Sequence, residues 1–584
     1  MCSIIGYSGK EGASPIIVKG LRRMEYRGYD SVGVATKSDT IEMKKGTGRV
    51  DEVNKTVGLD TLEGNVGIGH TRWATHGAVT EINAHPHYSN SGKIAIVHNG
   101  IIENYSVLKE QLEKDGYTFQ SQTDTEVISN LLQKHYDSCK DVKNAILETV
   151  GELTGEYAFI ALFEDGTLVA VRDNKSLIIG IGKEEYFLSS DVLGFIENTN
   201  DVIYVDNKSV TIIDKNGLNV ITFDGTSIKH EIVKVAKEFS DVDKGEYASF
   251  TFKEITEQPQ KNLQAGDDDT VMNQAASMIS SAKNIYITGS GTSFHAALIT
   301  KIILAKFAKI KIDPILSSEF IVESYMMNSD SLLIAMSQSG ESADVLKAVS
   351  VAKKSGMKIL SIINSVPSEL MRESTLNIRM NCGPEIGVAA TKSFSAQMVI
   401  AYKIANKLCK DCIDIDFEKI SKTIQEILDD HSQIKEIVKD LKEISDIYIL
   451  GRGINYPMAL EAALKIKELT YVHAEGMAGG ELKHGPLALI DSRSFVMVIN
   501  PSDSTYEETK TSISEIKTRG AKVIGISDKN DNMYDYWIKI PTVLESVFPL
   551  IEIIPIQLFA YYLSIEKDID PDYPRNLAKS VTVK

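Results

Sequence analysis

An internal repeat restricts the folds open to the C-terminal half of this chain. The strand-like run Asn284-Ile285-Tyr286-Ile287-Thr288-Gly289-Ser290-Gly291 returns as Asp446-Ile447-Tyr448-Ile449-Leu450-Gly451-Arg452-Gly453. Leu332-Leu333-Ile334-Ala335-Met336, with Gly356-Met357-Lys358-Ile359-Leu360 after it, returns as Phe495-Val496-Met497-Val498-Ile499 with Gly520-Ala521-Lys522-Val523-Ile524. The offset is about 162–164 residues throughout. A repeat of this kind implies two similar units that pack together. Short apolar runs alternate with longer helical patterns, the reading for a parallel sheet with helices on both faces. Two tandem doubly wound α/β domains are expected, over 270–415 and 435–573, followed by a C-terminal tail, 574–584.

Residues 2–225 read differently. Strand-like runs include Ser3–Tyr7, Lys93–Val97 and Ala158–Phe163, and the stretch 201–223 reads as a meander with Asp, Gly and Asn turns. Helical periodicity intervenes at about 13–25, 105–115, 124–137 and 141–151. The expectation is an α+β or layered sandwich with antiparallel sheets. Residues 226–265 are polar and aperiodic and read as an ordered linker.

The 584-residue chain carries a formal net charge of -17, which disfavours nucleic acid and anionic membrane as partners. Five cysteines are too few for a disulfide scaffold, and a reducing, cytoplasmic compartment fits them. The start, Met1-Cys2-Ser3-Ile4-Ile5-Gly6, lacks the basic and apolar regions of a signal peptide. The longest apolar stretch, Val547–Ile565, contains Pro549, Glu552, Pro555 and Gln557 and reads as buried core, not a membrane span.

In the first repeat a strand runs into Gly289-Ser290-Gly291-Thr292-Ser293, and a second ends in Ser337-Gln338-Ser339-Gly340-Glu341-Ser342. Both loops belong at the carboxyl ends of parallel strands, before helices, where backbone N–H groups and hydroxyls hold anions. Either loop alone reads equally well as a turn with an N-cap; the pair favours a phosphate site. The second repeat has Asn500-Pro501-Ser502-Asp503-Ser504 there, with an added carboxylate, and no equivalent phosphate site is expected. No nucleotide P-loop motif occurs.

These loops resemble the sugar isomerase (SIS) domain, and the resemblance spans both repeats. Downstream, Glu461-Ala462-Ala463-Leu464-Lys465-Ile466-Lys467-Glu468, Glu481-Leu482-Lys483-His484-Gly485-Pro486 and Pro574-Arg575-Asn576-Leu577-Ala578-Lys579 are more specific to SIS enzymes that act on sugar phosphates. The resemblance implies sugar-phosphate contacts from Gly291, Thr292, Ser293, Ser337, Gln338, Ser339, Ser342, Val388 and Lys465. It also implies ring opening by His484, an imine through Lys579 and proton transfer by Glu468. Read from periodicity alone, Lys465, Lys467 and Glu468 are a solvated helix face.

Cys2 directly follows the initiator. Removal of Met1 would leave a thiol whose own α-amine, with a reference pKa of about 7.7–8.0, can serve as its base. By position alone an inert cysteine is the commoner case. The company changes that: Arg22-Arg23-Met24-Glu25-Tyr26-Arg27-Gly28-Tyr29-Asp30, Gly69-His70-Thr71-Arg72-Trp73-Ala74-Thr75-His76-Gly77, Asn83-Ala84-His85-Pro86-His87, His98-Asn99-Gly100 and Ser121-Gln122-Thr123-Asp124 occur in order. In that order they resemble the N-terminal-nucleophile, class II glutamine amidotransferases, which implies an αββα sandwich. The resemblance implies glutamine binding by Arg72, Trp73, His76 and Asp124, with Asn99 and Gly100 stabilising the oxyanion formed as Cys2 attacks. His70, His76, His85, His87 and His98 read as hydrogen-bonded structural histidines in preference to a metal site. Cys409-Lys410-Asp411-Cys412 is a lone C-x-x-C with no second ligand pair. No metal and no cofactor are expected.

A glutaminase followed by two SIS units resembles a family of two-part aminotransferases. What this implies is transfer of the amide nitrogen of glutamine to fructose 6-phosphate with ketose-to-aldose isomerisation, giving glucosamine 6-phosphate and glutamate for amino-sugar synthesis. A homodimer follows too, since in the family the sugar site borrows its histidine from a neighbouring subunit. Three departures stand out. Ser3 replaces a usual Gly, Ala390 replaces a usual Ser with loss of a sugar-hydroxyl contact, and Ser290 replaces a common Cys. A phosphoribosyl-pyrophosphate amidotransferase or an asparagine synthetase would need pyrophosphate or ATP loops that do not occur. A non-catalytic SIS sensor would not need Cys2, Arg72, Asn99, Asp124, Glu468, His484 and Lys579 together.

Overall fold

The computed structural model describes residues 2–74, 77–235, 244–365, 368–410 and 413–579. The chain forms two compact units that divide at about residue 242.

The first unit stacks two antiparallel sheets, of eight and six strands among the described residues. In the first sheet, β1 (Ser3–Ser8) lies in the interior, between β2 (Val66–Arg72) and Tyr186–Ser189, antiparallel to both. In the second, β3 (Ile94–Ile102) pairs antiparallel with β4 (Gly155–Phe163). Period-two alternation builds the layers. Ile4, Ile68, Val97, Ala158, Ile160 and Leu188 point between the sheets. Ile5 and Tyr7 point outward to Ile17 and Leu21 on the helix Ala13–Met24. On the other side, Phe159 and Ala161 meet Val127, Leu131 and Ile146, carried by α1 (Thr125–Cys139) and the helix Val142–Glu152. Helix, sheet, sheet, helix is therefore the layer order, and β1 delivers Cys2 to the end of a buried strand.

The second unit holds two five-stranded parallel sheets of the same strand order, which is the repeat made visible. It begins with α2 (Phe250–Thr256). In the first repeat β5 (Asn284–Gly289) leads into α3 (Thr292–Ile303), β6 (Ser331–Ser337) lies beside β5, and α4 (Lys392–Leu408) closes the unit. In the second, β7 (Asp446–Gly451) leads into α5 (Asn455–Thr470), β8 (Phe495–Ile499) lies beside β7, and α6 (Phe548–Glu566) closes. One hydrophobic core joins the repeats, drawing Ile287 and Ile334 from one sheet, Ile449 and Met497 from the other, and Phe394, Ile466 and Leu558 from the helices. Helix α6 is long and apolar enough to cross a membrane, but 89% of its most apolar window is buried.

The segment expected as a linker, 226–265, is divided. Its second part forms α2 and the helix Gln258–Gln264, with Thr251, Glu254, Ile255 and Gln258 buried in the second unit. Asp572 ties α2 down by accepting from the Phe250 and Thr251 N–H groups at 2.8 Å each. Polar composition hid these helices because several of their polar groups find partners far along the chain, as Thr251 does with Asp572 and Gln258 with Gln557.

Candidate active sites

Two sites can be built from these elements, one in each unit. In the first, the β1–β2 register sets Ser3 opposite Thr71, which brings Cys2 to the residues that follow β2. The Trp73 N–H donates to Cys2 Sγ at 3.3 Å, and the thiol lies 3.5 Å from the Trp73 carbonyl oxygen. Burial pushes the Cys2 thiol up, against the pull of that N–H and of Arg72. Ser3 lies within β1, is not a positive-φ residue, and donates from Oγ to the Met24 carbonyl at 3.1 Å. The backbone freedom that glycine supplies is therefore not required at this position.

Arg72 is 3% exposed. Its guanidinium donates to the carbonyls of Gly77 and Ala78 at 3.2 and 3.3 Å. Burial lowers its pKa, offset by Cys2, Asp30 and Asp124. Asp124, just before α1, accepts from the Ile102 N–H at 2.8 Å, which ties it to the end of β3. On β3, Asn99 Oδ1 is buried and has no hydrogen-bond partner. Gly100 has φ +122°, and a Cβ there would stand 2.2 Å from the Glu156 carbonyl oxygen. Trp73 packs edge-on to Tyr29, ring centroids 6.0 Å apart. Asp30, in the same segment, accepts from the Ala74 N–H at 2.8 Å and thereby orders the chain after Trp73. Sequence reasoning quoted Asp30 without giving it a role. His76 lies outside the described residues.

The buried histidines are a directed network. The His98 N–H donates to His85 Nδ1 at 3.3 Å, so His85 carries its proton on Nε2, 3.3 Å from Thr125 Oγ1. The Thr125 hydroxyl is then left to donate to His98 Nδ1 at 2.9 Å. His70 donates from Nε2 to the His98 carbonyl at 2.9 Å and stacks on His85 at 4.0 Å. Burial holds His70 down to about 3, and lowers His85 and His87 well below the ordinary value. Neutral imidazoles thus fix Thr123 and Thr125, the residues on either side of Asp124. Among the described residues no three or more His, Cys, Asp or Glu side chains are grouped to hold a metal ion.

In the second unit, β5 and β6 are parallel neighbours, so the loops after them stand side by side at their carboxyl ends. Gly291, at φ +52°, precedes α3, and Ser290 Oγ shares a hydrogen bond with Ser317 Oγ at 2.5 Å. Ser293 accepts from Gln397 Nε2 at 2.9 Å. Ser337 Oγ accepts from the Gly340 N–H at 2.9 Å and Ser339 Oγ from the Glu341 N–H at 3.2 Å. The Gln338 carbonyl accepts from the Ser365 N–H at 3.0 Å, and Ser342 precedes the helix Ala343–Lys354. Two helix N-termini with hydroxyls in front of them can hold one phosphate. In the second repeat the corresponding donors are occupied. Asp528 accepts from the Ser502 N–H and Oγ at 2.8 and 2.5 Å, and Asp503 from Asn455 Nδ2 at 2.9 Å.

Helix α5 brings the second repeat's charges to the first repeat's loop. Lys465 Nζ donates to Thr292 Oγ1 at 3.1 Å and to Glu468 at 2.6 Å, with Glu461 at 3.4 Å. Glu461, fully buried, also accepts from Thr292 Oγ1 at 3.0 Å and pairs with His295 Nδ1 at 2.7 Å. Burial works against the Lys465 charge, but Glu468 and Glu461 reverse this and leave its pKa raised. The solvated-face reading holds for exposed Lys467 and fails for Lys465, which is 1% exposed.

Lys579, in the tail, donates to Glu385 at 2.8 Å and lies 3.5 Å from the Ala389 carbonyl oxygen, next to buried Val388. Glu385 also accepts from the N–H groups of Thr391 and Ser393 at 3.0 Å each and from Ser393 Oγ at 2.8 Å. Burial opposes its charge, yet Lys579 and these N–H groups hold it down to about 2. Glu385 also contributes to raising the pKa of Lys465. Glu254 on α2 accepts from the Ile386 and Gly387 N–H groups, the latter at 3.1 Å, and is pushed up to about 8 by burial. His484 stands apart. It is exposed on the turn Glu481–His484 and makes no hydrogen bond or ion pair with Lys465, Glu468 or Lys579. Glu385, Glu461, His295 and Gln397 were not singled out from sequence; apart from Glu461, which lies in a quoted motif, nothing local marks them. Cys409 is disulfide-bonded, and Cys412 lies outside the described residues.

Sandwich and doubly wound pair, with these two sites, define a glutamine amidotransferase unit joined to tandem SIS units. Family models agree: a glutamine amidotransferase domain matches residues 70–196, and a SIS domain matches 278–407 and again 440–567. The chain is 42% identical over 600 aligned residues to a glutamine–fructose-6-phosphate aminotransferase (isomerizing) from Pyrococcus horikoshii, and 40% over 605 to one from Thermococcus kodakarensis. Each alignment covers 100% of both chains. A solved C-terminal domain of glucosamine-fructose-6-phosphate aminotransferase from Francisella tularensis is 31% identical with a TM-score of 0.51, covering 57% of this chain and 100% of that one. The chain belongs to the isomerizing glutamine–fructose-6-phosphate aminotransferase family.

Proposed function

We propose that this chain transfers the amide nitrogen of glutamine to fructose 6-phosphate and isomerises the product, releasing glutamate and glucosamine 6-phosphate. The observation that carries the reading is the joining on one chain of a buried Cys2 thiol beside Trp73 and Arg72 to a strand-end loop pair in which Thr292 bonds to Lys465, itself paired with Glu468. Arg72 and Asp124 grip the α-carboxylate and α-ammonium of glutamine. Once Met1 is removed, the α-amine takes the Cys2 proton as Sγ attacks the γ-carbonyl carbon. The Asn99 side-chain amide and the Gly100 N–H stabilise the oxyanion, ammonia leaves, and water hydrolyses the thioester.

At the sugar site the strand-end loops hold the phosphate and His484 of a second copy opens the ring. Lys579 forms the imine at C2, ammonia adds to that carbon and displaces the lysine nitrogen, and Glu468 moves the proton between C1 and C2. Lys465, kept charged by Glu468 and Glu461, stabilises developing negative charge. The enzyme acts as a homodimer in the cytoplasm.

Purified chain given both substrates is expected to release glutamate and glucosamine 6-phosphate in equal amounts. Cys2→Ala should lower glutamine consumption by about three orders of magnitude or more while fructose 6-phosphate is still trapped on the enzyme by borohydride. Normal glutamine use by that variant would remove Cys2 as the nucleophile.

A further inference from the structure

The tail that carries Lys579 has neither helix nor strand between Pro574 and Lys579. Among its contacts, the Arg575 guanidinium lies 4.3 Å from the Tyr471 ring centroid, the Arg575 N–H donates to the Tyr471 hydroxyl at 2.5 Å, and Lys579 bonds to Glu385. Glu385 is fully buried, and the lysine side chain is 3% exposed. The carboxylate does not depend on Lys579 for its place, since Thr391 and Ser393 supply three further donors. It is a preformed anion at which the lysine arrives.

We infer that Glu385 is a catalytic residue of the sugar-phosphate half, acting as the counter-ion to Lys579 through imine formation. The inference rests on Lys579 as the imine-forming lysine. The chemistry follows from the charge balance. As the Lys579 nitrogen bonds to C2, one of its ammonium protons passes to the carbonyl oxygen. A second passes to the resulting hydroxyl, which leaves as water while the C=N bond forms. The net change is ammonium plus carbonyl giving iminium plus water. Positive charge sits on the same nitrogen before and after, so the carboxylate that holds the ammonium in place also stabilises the iminium. In a buried site that attraction is little screened.

The test is trapping with fructose 6-phosphate and cyanoborohydride in the full-length chain, with mass-spectrometric mapping of the modified lysine. Wild type should be labelled on Lys579. Glu385→Gln should label at least tenfold more slowly, and the alkaline fall-off of labelling should move to lower pH, because an iminium without its counter-ion loses its proton more easily. A loss from looser tail placement would scale labelling equally at every pH. Glu385→Asp keeps the charge but withdraws it, and should fall between the two. Should Glu385→Gln melt before assay, Glu385→Asp carries the test alone. Wild-type rates and pH dependence in the folded variants would overturn the role of Glu385 while leaving Lys579 as the imine lysine. Wild-type label on another lysine would overturn both.

Discussion

At Gly100 a single hydrogen atom in place of a side chain serves two needs. The φ of +122° is strained for any L side chain, and a Cβ would collide with backbone, which cannot swing aside as a side chain would. The same residue offers the N–H proposed for the oxyanion. Gly100→Ala is therefore expected to cut glutamate release from glutamine by about 10²-fold or more, the usual scale for one lost oxyanion donor. Steady-state kinetics should show the loss mainly in kcat; a variant within threefold of wild type would show that the donor is elsewhere. Residue identity did not settle everything at this scale. Ser3 departs from the usual glycine, yet its strand backbone accepts serine and its hydroxyl finds Met24. Lys465 looks like a surface charge and is among the most buried side chains present.

Among the elements, α6 shows why composition identified a core helix but not its cost. A helix apolar on every face belongs inside. Yet Glu552 on α6 is fully buried, and neither oxygen has a hydrogen-bond partner among the described residues. Burial, with Asp503 and Asp528 nearby, raises its pKa well above the ordinary 4.5. The sign follows from linkage: a raised carboxyl favours the fold while protonated, and that contribution fades as pH climbs from 4.5 toward the raised value. Glu552→Gln should thus raise Tm at pH 8 by a few degrees, on the order of 1 kcal/mol or more, with the gap closing below pH 4.5. Equal melting of the two at pH 8 by calorimetry would show that Glu552 has a compensating partner. Helix α2 is the opposite case. Its polar sequence read as linker, because what secures it, Asp572, lies more than three hundred residues away.

Over the whole molecule, the two repeats are alike in strand order and unlike in chemistry. In the first, hydroxyl-bearing loops follow the strands; in the second, Asp503 and Asp528 take up the corresponding donors, and α5 reaches the neighbouring repeat. His484 is exposed and makes no hydrogen bond or ion pair with Lys579 of its own chain, which fits the proposed shared site in a closed dimer. His484→Ala and Lys579→Ala should each be inactive in glucosamine 6-phosphate formation. Co-expressed, they should recover about a quarter of wild-type activity, since half of randomly paired dimers carry one intact site. No recovery in isolated mixed dimers would place His484 and Lys579 on one chain's site.

Much was legible before any coordinates: the strand-and-helix alternation, the tandem repeat, the strand-end loops and the ordered motifs that accompany Cys2. These are local patterns, set by side-chain period, glycine placement and residue order, so they survive in a one-dimensional text. Partnerships across the chain do not. Glu385 and Lys579 stand 194 residues apart, Thr292 and Lys465 stand 173 apart, and none of the four carries a mark of the other in its neighbourhood. Which charges are buried, and so which lysine needs which carboxylate, follows from the close approach of α3, α4 and α5 in one core, where water is excluded and an unpaired ion is costly.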